Sequence, residues 1–206
     1  MKFREPSEEE VQQIDQSQSE YFSKNLHLFD PPFPDGVSER LEEIVRCGRI
    51  NRSDVVLDIG TGTGILIPLI LNHEPAQIFA NDLSQKMLET VKERYPSVNT
   101  LHGDIRSLAL PDQSIDVVFI NACYSNIADK PRSFINIRRI TRAGCRIVIS
   151  HPMGSSFIHF LQERISFPLD DFPEDRAEAA RLFSPYGFNV SHLVNDSRLY
   201  VLVLEG

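Results

Sequence analysis

Three glycines within five residues, Gly60, Gly62 and Gly64, stand between two short apolar segments. Glycine lets the backbone approach a ligand with no Cβ in the way, and a helix that begins here presents free N–H groups. Asp82 follows Gly64 by eighteen residues and ends another apolar segment. A carboxylate at that place can accept hydrogen bonds from both hydroxyls of a ribose. Together these residues predict a site for a nucleoside-containing cofactor.

The spacing of the glycines does not fit a dinucleotide. The dinucleotide fingerprint requires a third glycine at the position where this chain has Ile65. No lysine in the sequence has a tyrosine four residues before it, so the pair typical of short-chain hydride transfer is missing. A nucleotide-dependent oxidoreductase on a related sheet therefore remains an alternative, but a weaker one.

The elements around these residues alternate between strand and helix patterns, which predicts a parallel, doubly wound α/β sheet. The last two strands are separated only by Asn195 to Ser197, a gap too short for a crossover, so we expect them to form an antiparallel hairpin. We divide the chain into an N-terminal arm over 1–36 and one domain over 37–206. The strands are predicted at 54–59, 76–82, 98–104, 114–122, 145–151, 187–194 and 198–205, and the helices at 37–48, 65–73, 84–95, 131–140 and 174–183.

Four segments, taken in order, resemble the signatures of class I S-adenosylmethionine-dependent methyltransferases. They are VLDIGTGTG, NDLSQKML, HGDIRSLALPDQSIDVVF and LFSPYGFNV. The resemblance extends over roughly residues 54 to 205 and is greatest to the small-molecule branch that includes quinone C-methyltransferases. It implies a Rossmann-like, seven-stranded sheet of order 3-2-1-4-5-7-6 with strand 7 antiparallel, and S-adenosylmethionine as the cofactor.

The resemblance also assigns cofactor-binding residues. The glycine segment would hold the methionine part, Asp82 the ribose, and the loop after strand 3 the adenine amine. Two assignments have structural alternatives, because Asp104 could cap a helix and Met87 could pack in the core. The complete set is Asp58, Gly60, Thr61, Gly62, Gly64, Asp82, Leu83, Met87, Gly103, Asp104, Ile105 and Asn121.

The tetrapeptide Asp30-Pro31-Pro32-Phe33 resembles the active-site motif of amino-methylating nucleic-acid methyltransferases. In those enzymes the motif follows strand 4, where this chain has INACYSN with Ala122 and Cys123 in place of the prolines. We therefore predict a proline turn that leads into the first helix of the domain. The resemblance to the small-molecule branch implies that the equivalent segment, around Tyr21, Phe22, Phe29 and Asp30, is mobile and closes over the cofactor.

Candidates for chemistry lie where strands 4 and 5 end, since open α/β sheets bind ligands there. His151 could accept a proton or hydrogen-bond an acceptor oxygen, or it could only orient its loop. Tyr124 is a weaker catalytic candidate, with an aromatic wall as the alternative. The stretch after strand 5 predicts either an apolar wall for the acceptor or a helix packed on the sheet. Its apolar side chains are Phe157, Phe160, Leu161 and Phe167.

Composition excludes several classes of protein. The net charge of −8 disfavours a nucleic-acid partner. No membrane span, signal peptide or transit peptide is visible, and three widely spaced cysteines indicate a reducing compartment and no zinc site. We predict a cytoplasmic location, no metal and a small-molecule acceptor.

One basic stretch departs from the acidic average. Residues 130–146 carry six basic side chains and no acid. They predict a solvated helix face or a docking surface for an acidic partner. If the stretch is a docking surface, the chain could be a non-catalytic, cofactor-binding module that recruits a partner through it. The function we favour is methyl transfer to a small, partly apolar molecule; the sequence does not specify the oligomeric state.

Overall fold

The computed structural model describes residues 3–206, which form a seven-stranded sheet with helices on both faces. The strand order is β3-β2-β1-β4-β5-β7-β6, and β7 is antiparallel to both of its neighbours, so the predicted topology is confirmed. The strands are β1 (Val55–Ile59), β2 (Gln77–Asp82), β3 (Asn99–His102), β4 (Ile115–Asn121), β5 (Thr141–His151), β6 (Asn189–Asn195) and β7 (Tyr200–Glu205).

Helices cover the sheet on both sides, as the alternating pattern predicts. Short 3-10 turns at Leu26–Phe29, Ile105–Ser107, Tyr124–Asn126 and Ser184–Tyr186 complete the connections. The α-helices are α1 (Glu8–Lys24), α2 (Val37–Cys47), α3 (Ile67–Leu71), α4 (Gln85–Arg94), α5 (Lys130–Ile140), α6 (Phe157–Gln162) and α7 (Arg176–Phe183).

The central strands are apolar because both of their faces are covered. From Val117 to Ile120, β4 is completely buried, and its side chains alternate between two hydrophobic cores. One core lies beneath α5 and α7 and contains Phe134 and Phe183; the other lies beneath α2 and contains Ile44. The buried central strands therefore support the loops at the carboxyl edge of the sheet.

The fifth strand begins earlier than predicted. Its pairing with β4 shifts from Ile115↔Thr141 to Val117↔Arg146, so five residues of β5 span two of β4. Gly144 lies within this irregularity at φ +77°. The glycine therefore permits a bulge inside β5.

The basic stretch 130–146 is not one helix face, since it runs from α5 into β5. Five of its six basic side chains form ion pairs within the chain, and Arg138 lies over the Phe188 ring with its Cζ 5.8 Å from the centroid. These pairs neutralise the charge that a docking surface would need. The pairs are Lys130–Asp170, Arg132–Glu8, Arg139–Asp112, Arg142–Asp116 and Arg146–Asp54.

The N-terminal arm is more ordered than a polar tail. Helix α1 begins with a capping box between Ser7 and Glu10, and three acidic side chains in its first turn suit the helix dipole. Val11 and Gln18 are buried against the domain. The arm therefore packs on the carboxyl edge of the sheet.

Candidate functional site

A cavity of about 460 Å³ opens at the carboxyl ends of the central strands, beneath α1 and the segment that follows it. Its size falls within the range of small-molecule sites. Nearly all of the predicted site residues line it. They are Asp58, Gly60, Thr61, Gly62, Asp82, Leu83, Met87, Gly103, Asp104, Ile105, Asn121 and His151.

Asp82 lies at the end of β2 and is held from two sides. One carboxylate oxygen accepts the backbone N–H of Gly62 at 2.9 Å, and the other accepts that of Ser84 at 2.8 Å. Burial raises the pKa of Asp82, and these N–H donors oppose the shift. Each oxygen keeps further lone pairs, so the carboxylate is oriented to accept hydroxyl donors from a ligand.

The glycines of the loop after β1 have three different roles. A Cβ on Gly60 would lie 2.2 Å from Cys123 Sγ, so only glycine allows this contact. A Cβ on Gly64 would lie 2.8 Å from Ile67 Cδ1, which makes Gly64 a packing residue outside the cavity wall. At Gly62 a Cβ would meet nothing within 4 Å, because the backbone faces open space. Gly62 therefore offers its backbone to a ligand.

Asp58 stabilises the same loop through a hydrogen bond with Thr61. Its carboxylate accepts the Thr61 hydroxyl at 2.7 Å, and burial raises the pKa of Asp58 to about 7. The loop is also tied to the next strand, because the Thr61 N–H donates to the Asn81 carbonyl at 3.0 Å. The loop is thus organised before any ligand binds.

A cluster of charged side chains lines the cavity where the loop after β3 meets α1. Asp104 caps the turn after β3, where it accepts the Arg106 backbone N–H at 2.7 Å. The Arg106 guanidinium bonds Asp104 and also Asp15 of α1, each at 2.6 Å. Asp104 is therefore both a cap and a wall residue, and Asp15 and Arg106 are cavity residues that sequence reasoning missed. A detectable signal existed, since Val11, Asp15, Gln18 and Phe22 have the spacing of one helix face.

Helix α1 is bonded to loops that follow β4 and β2. The Gln18 amide donates to the Asn126 carbonyl at 2.7 Å, and the Ser19 hydroxyl donates to the Leu83 carbonyl at 3.4 Å. Ser23 and Ser84 share a hydroxyl hydrogen bond of 2.8 Å. Helix α1 and the segment that follows it form the roof of the cavity. Hydrogen bonds from α1 to the loops after β4 and β2 hold this roof in place.

The tetrapeptide lies in this roof. Asp30 forms a bidentate ion pair with Arg94 of α4, at 2.7 and 2.6 Å, and does not line the cavity. The preceding Phe29 carbonyl accepts the Thr63 hydroxyl at 3.2 Å. Asp30 therefore links the segment before α2 to α4. This structural role agrees with the predicted proline turn.

The part of the cavity beyond β4 and β5 is apolar. Of the four residues predicted for an acceptor wall, Phe160 instead points to solvent, 47% exposed, with the Arg164 guanidinium 3.6 Å from its ring centroid. The other three line the cavity together with two aliphatic side chains. The wall consists of Phe157, Leu161, Ile165, Phe167 and Leu169.

The two catalytic candidates differ in position. His151 ends β5 and lines the cavity, and burial lowers its pKa to about 4. Tyr124 is 1% exposed and does not line the cavity; its ring stacks on Phe172 with centroids 5.3 Å apart. The burial of Tyr124 among core aromatic residues removes the physical basis for a catalytic role. We therefore retain only His151 as a residue that can contact an acceptor.

Two features are absent from residues 3–206. No group of three or more His, Cys, Asp or Glu side chains is arranged to hold a metal ion. No helix in the same range is long and apolar enough to cross a membrane.

Known proteins resemble this chain in family, sequence and fold. A family model described as a methyltransferase domain matches residues 57–149, which include the glycine loop, Asp82 and Asp104. The matched segment is less than half of the chain, and over that segment the chain is similar to methyltransferases. The residues present fit S-adenosylmethionine, the cofactor predicted from the sequence, because Gly62 and Gly103 leave open space in front of the backbone and Asp82 faces the same space. S-adenosylmethionine is therefore assigned as the cofactor.

The curated relatives are similar over part of their length. An uncharacterized methyltransferase of Schizosaccharomyces pombe is 27% identical over 165 residues, which are 77% of this chain and 62% of the relative. A malonyl-[acyl-carrier protein] O-methyltransferase of Xylella fastidiosa is 35% identical over 137 residues, or 63% of this chain and 46% of the relative. The chain thus spans less than two thirds of either relative.

The fold is shared with solved structures. A SAM-dependent methyltransferase from Aquifex aeolicus superposes with a TM-score of 0.67 at 18% identity, and the match covers 88% of this chain and 97% of that chain. At this identity the likeness concerns the fold alone.

A first prediction concerns the contact between α1 and Arg106. Burial and the neighbouring Asp104 raise the pKa of Asp15 from 3.8 to about 7. A proton is therefore bound more tightly when α1 is docked than when it is detached. Docking is strongest below about pH 4, weakens as the pH rises from about 4 to about 7, and is constant above that range.

The measurement is amide hydrogen exchange in α1 at pH 6 and pH 8, corrected for intrinsic rates. We expect less protection at pH 8 in the wild type, and a smaller difference in Asp15→Asn, which is uncharged at both pH values. Glu9→Gln, on the exposed face of the same helix, serves as the control. An unchanged pH difference in Asp15→Asn would assign the effect to other groups.

Proposed function

We propose that the protein transfers the methyl group of S-adenosylmethionine to a small, partly apolar molecule. The observation that supports this proposal is the continuity of one cavity, in which the glycine loop and Asp82 share an enclosed space with the apolar wall of Phe157, Leu161 and Phe167. An acceptor on that wall would lie beside the cofactor and away from water.

The cofactor supplies an activated methyl group, and the protein's residues supply position and exclusion of water. Asp82 orients the ribose, while the backbone at Gly62 and Gly103 allows close approach. Helix α1 and Phe29 close the cavity from above. Alignment of the two reactants needs no metal and requires a base only if the acceptor retains a proton at neutral pH.

Two alternatives are weaker. An oxidoreductase would need a dinucleotide site, and Ile65 occupies the position of its third glycine. A recruiting module would need a free basic surface, whereas five of the six basic side chains of 130–146 form ion pairs within the chain. The acidic net charge and the internal position of Asp82 also favour a small acceptor over a nucleic acid.

Two experiments test the proposal in sequence. Calorimetry should show binding of S-adenosylmethionine and of its demethylated product, with no binding of NAD. Incubation with a metabolite extract and isotopically labelled cofactor, followed by mass spectrometry, should then show a labelled small molecule. Binding without any labelled product in the presence of diverse apolar metabolites would favour the non-catalytic module.

The second prediction separates small-molecule from nucleic-acid methylation. Asp30→Ala removes a partly exposed, bidentate ion pair with Arg94, so it should cost about 1 kcal/mol or less and weaken closure of the roof. It should not abolish methyl transfer, because Asp30 does not line the cavity. The assay offers DNA, tRNA and a metabolite pool side by side, with Asp35→Ala as the exposed control. Methylation of nucleic acid that disappears in Asp30→Ala would identify the tetrapeptide as the active site.

A further inference from the structure

His151 is held in one orientation at the cavity wall. Its Nδ1 accepts the backbone N–H of Met153 at 3.2 Å. The ring lies between Phe157 and Phe172, with centroids 5.3 and 6.2 Å away, and the residue is 4% exposed. A nitrogen that accepts a hydrogen bond in neutral imidazole carries no proton, so the proton lies on Nε2.

The Nε2–H group has no hydrogen-bond partner among residues 3–206. The surroundings of the ring are aromatic, and burial lowers the pKa of His151 to about 4, so the imidazole is neutral at physiological pH. His151 lines the cavity, and its Nε2 is not sealed inside the protein, so the N–H is available to donate to a ligand oxygen there. His151 is thus organised as a donor, because its one basic nitrogen is already engaged.

The charges around the cavity select against an anion. Five aspartates line it, and the sole cationic side chain among the described lining residues, Arg106, is bonded to Asp15 and Asp104. The apolar half contains neither lysine nor arginine among the residues that the structure describes. A carboxylate there would lose its hydration without gaining a cationic partner.

We propose that the acceptor is an uncharged, largely apolar molecule with an oxygen, of the carbonyl or ether type, that accepts a hydrogen bond from His151 Nε2. This inference rests on the proposed function and specifies the acceptor class for the same cavity. His151 then determines acceptor specificity by contact and does not remove a proton. Cys123 offers no replacement base, because burial raises the pKa of its thiol to about 12.

The test uses three probes of similar shape: acetophenone with a carbonyl, ethylbenzene without one, and benzoate with a negative charge. Each is titrated by ligand-observed NMR against protein saturated with S-adenosylhomocysteine. Acetophenone should bind about fivefold more tightly than ethylbenzene, the effect of one net hydrogen bond, and benzoate should bind most weakly.

Variants assign the preference to His151. In His151→Phe the preference for acetophenone over ethylbenzene should disappear, whereas His151→Gln, which keeps an N–H donor, should restore part of it. His159→Phe, at an exposed histidine nearby, should bind all three probes as the wild type does. The Gln variant also serves if the Phe variant does not fold.

Three results would overturn the inference. These are benzoate binding as tightly as acetophenone, a carbonyl preference that persists in His151→Phe, and no binding of any probe at millimolar concentration. Failure of the proposed function is distinguishable, because binding of S-adenosylhomocysteine is measured first on the same sample.

Discussion

Replacement of Asp82 by alanine is expected to weaken S-adenosylmethionine binding by about 3 kcal/mol, roughly 150-fold, with little loss of folding stability. The affinity falls because a ribose would lose two charge-assisted hydrogen bonds at once. Stability is retained since the pKa of Asp82 is raised by burial, which means that the folded protein holds this charge at a cost. Calorimetry gives the dissociation constant, and thermal unfolding without ligand gives the stability.

Glu89→Ala is the matched control for Asp82. Glu89 is an exposed acid on the adjacent helix α4, so its replacement removes one negative charge nearby without touching the cavity. It should leave the affinity within a factor of about two of the wild type, since a distant exposed charge is largely screened. If Asp82→Ala bound the cofactor as tightly as Glu89→Ala does, Asp82 would have no ribose role.

The second prediction of large effect concerns two glycines of one loop. Gly60→Ala should destabilise the fold by about 3 kcal/mol, because it combines backbone strain at φ +65° with a clash in which the new Cβ would lie only 2.2 Å from Cys123 Sγ. Gly62→Ala should cost only about 1 kcal/mol in stability, since φ is +56° but no atom lies within 4 Å. Its added methyl group would occupy ligand space, so cofactor affinity should fall at least about tenfold, equivalent to about 1.4 kcal/mol.

Gly144→Ala supplies the control for backbone strain. Gly144 has φ +77°, and a Cβ added there would meet no atom within 4 Å. It lies in the β5 bulge and does not line the cavity. The variant should lose stability as Gly62→Ala does and retain full cofactor affinity. Equal affinities in Gly62→Ala and the wild type would show that the open space before Gly62 is not used by the cofactor.

The sheet and the cofactor half of the site could be predicted because both depend on local sequence signals. Strand-forming segments, a glycine turn and an acid at a strand end each occur within a few consecutive residues, and their order determines the topology. The positions of Asp82 in the cavity and of β7 antiparallel to β5 follow from these signals.

The remaining features depend on contacts between distant residues. Arg106 meets Asp15 across 91 positions, and neither residue carries a local signature of that pairing. Tyr124 lies just after β4, where a residue of the cavity wall is expected. Its side chain packs instead against Phe172 and Phe183, which come from distant parts of the chain. The Gly144 bulge cannot be predicted from the sequence, because a glycine between a helix and a strand suits a turn and a bulge equally well.

The hydrogen bonds from α1 to the cavity rim have a consequence for turnover. Gln18, Ser19 and Ser23 join α1 to loops after β4 and β2, so exit of spent cofactor past α1 requires these bonds to break. Tighter sealing protects the reacting groups from water but lengthens the residence time of the product. For exit by this route the rate at which α1 detaches is an upper limit on cofactor exchange, and variants that weaken these bonds would exchange faster while sealing less well.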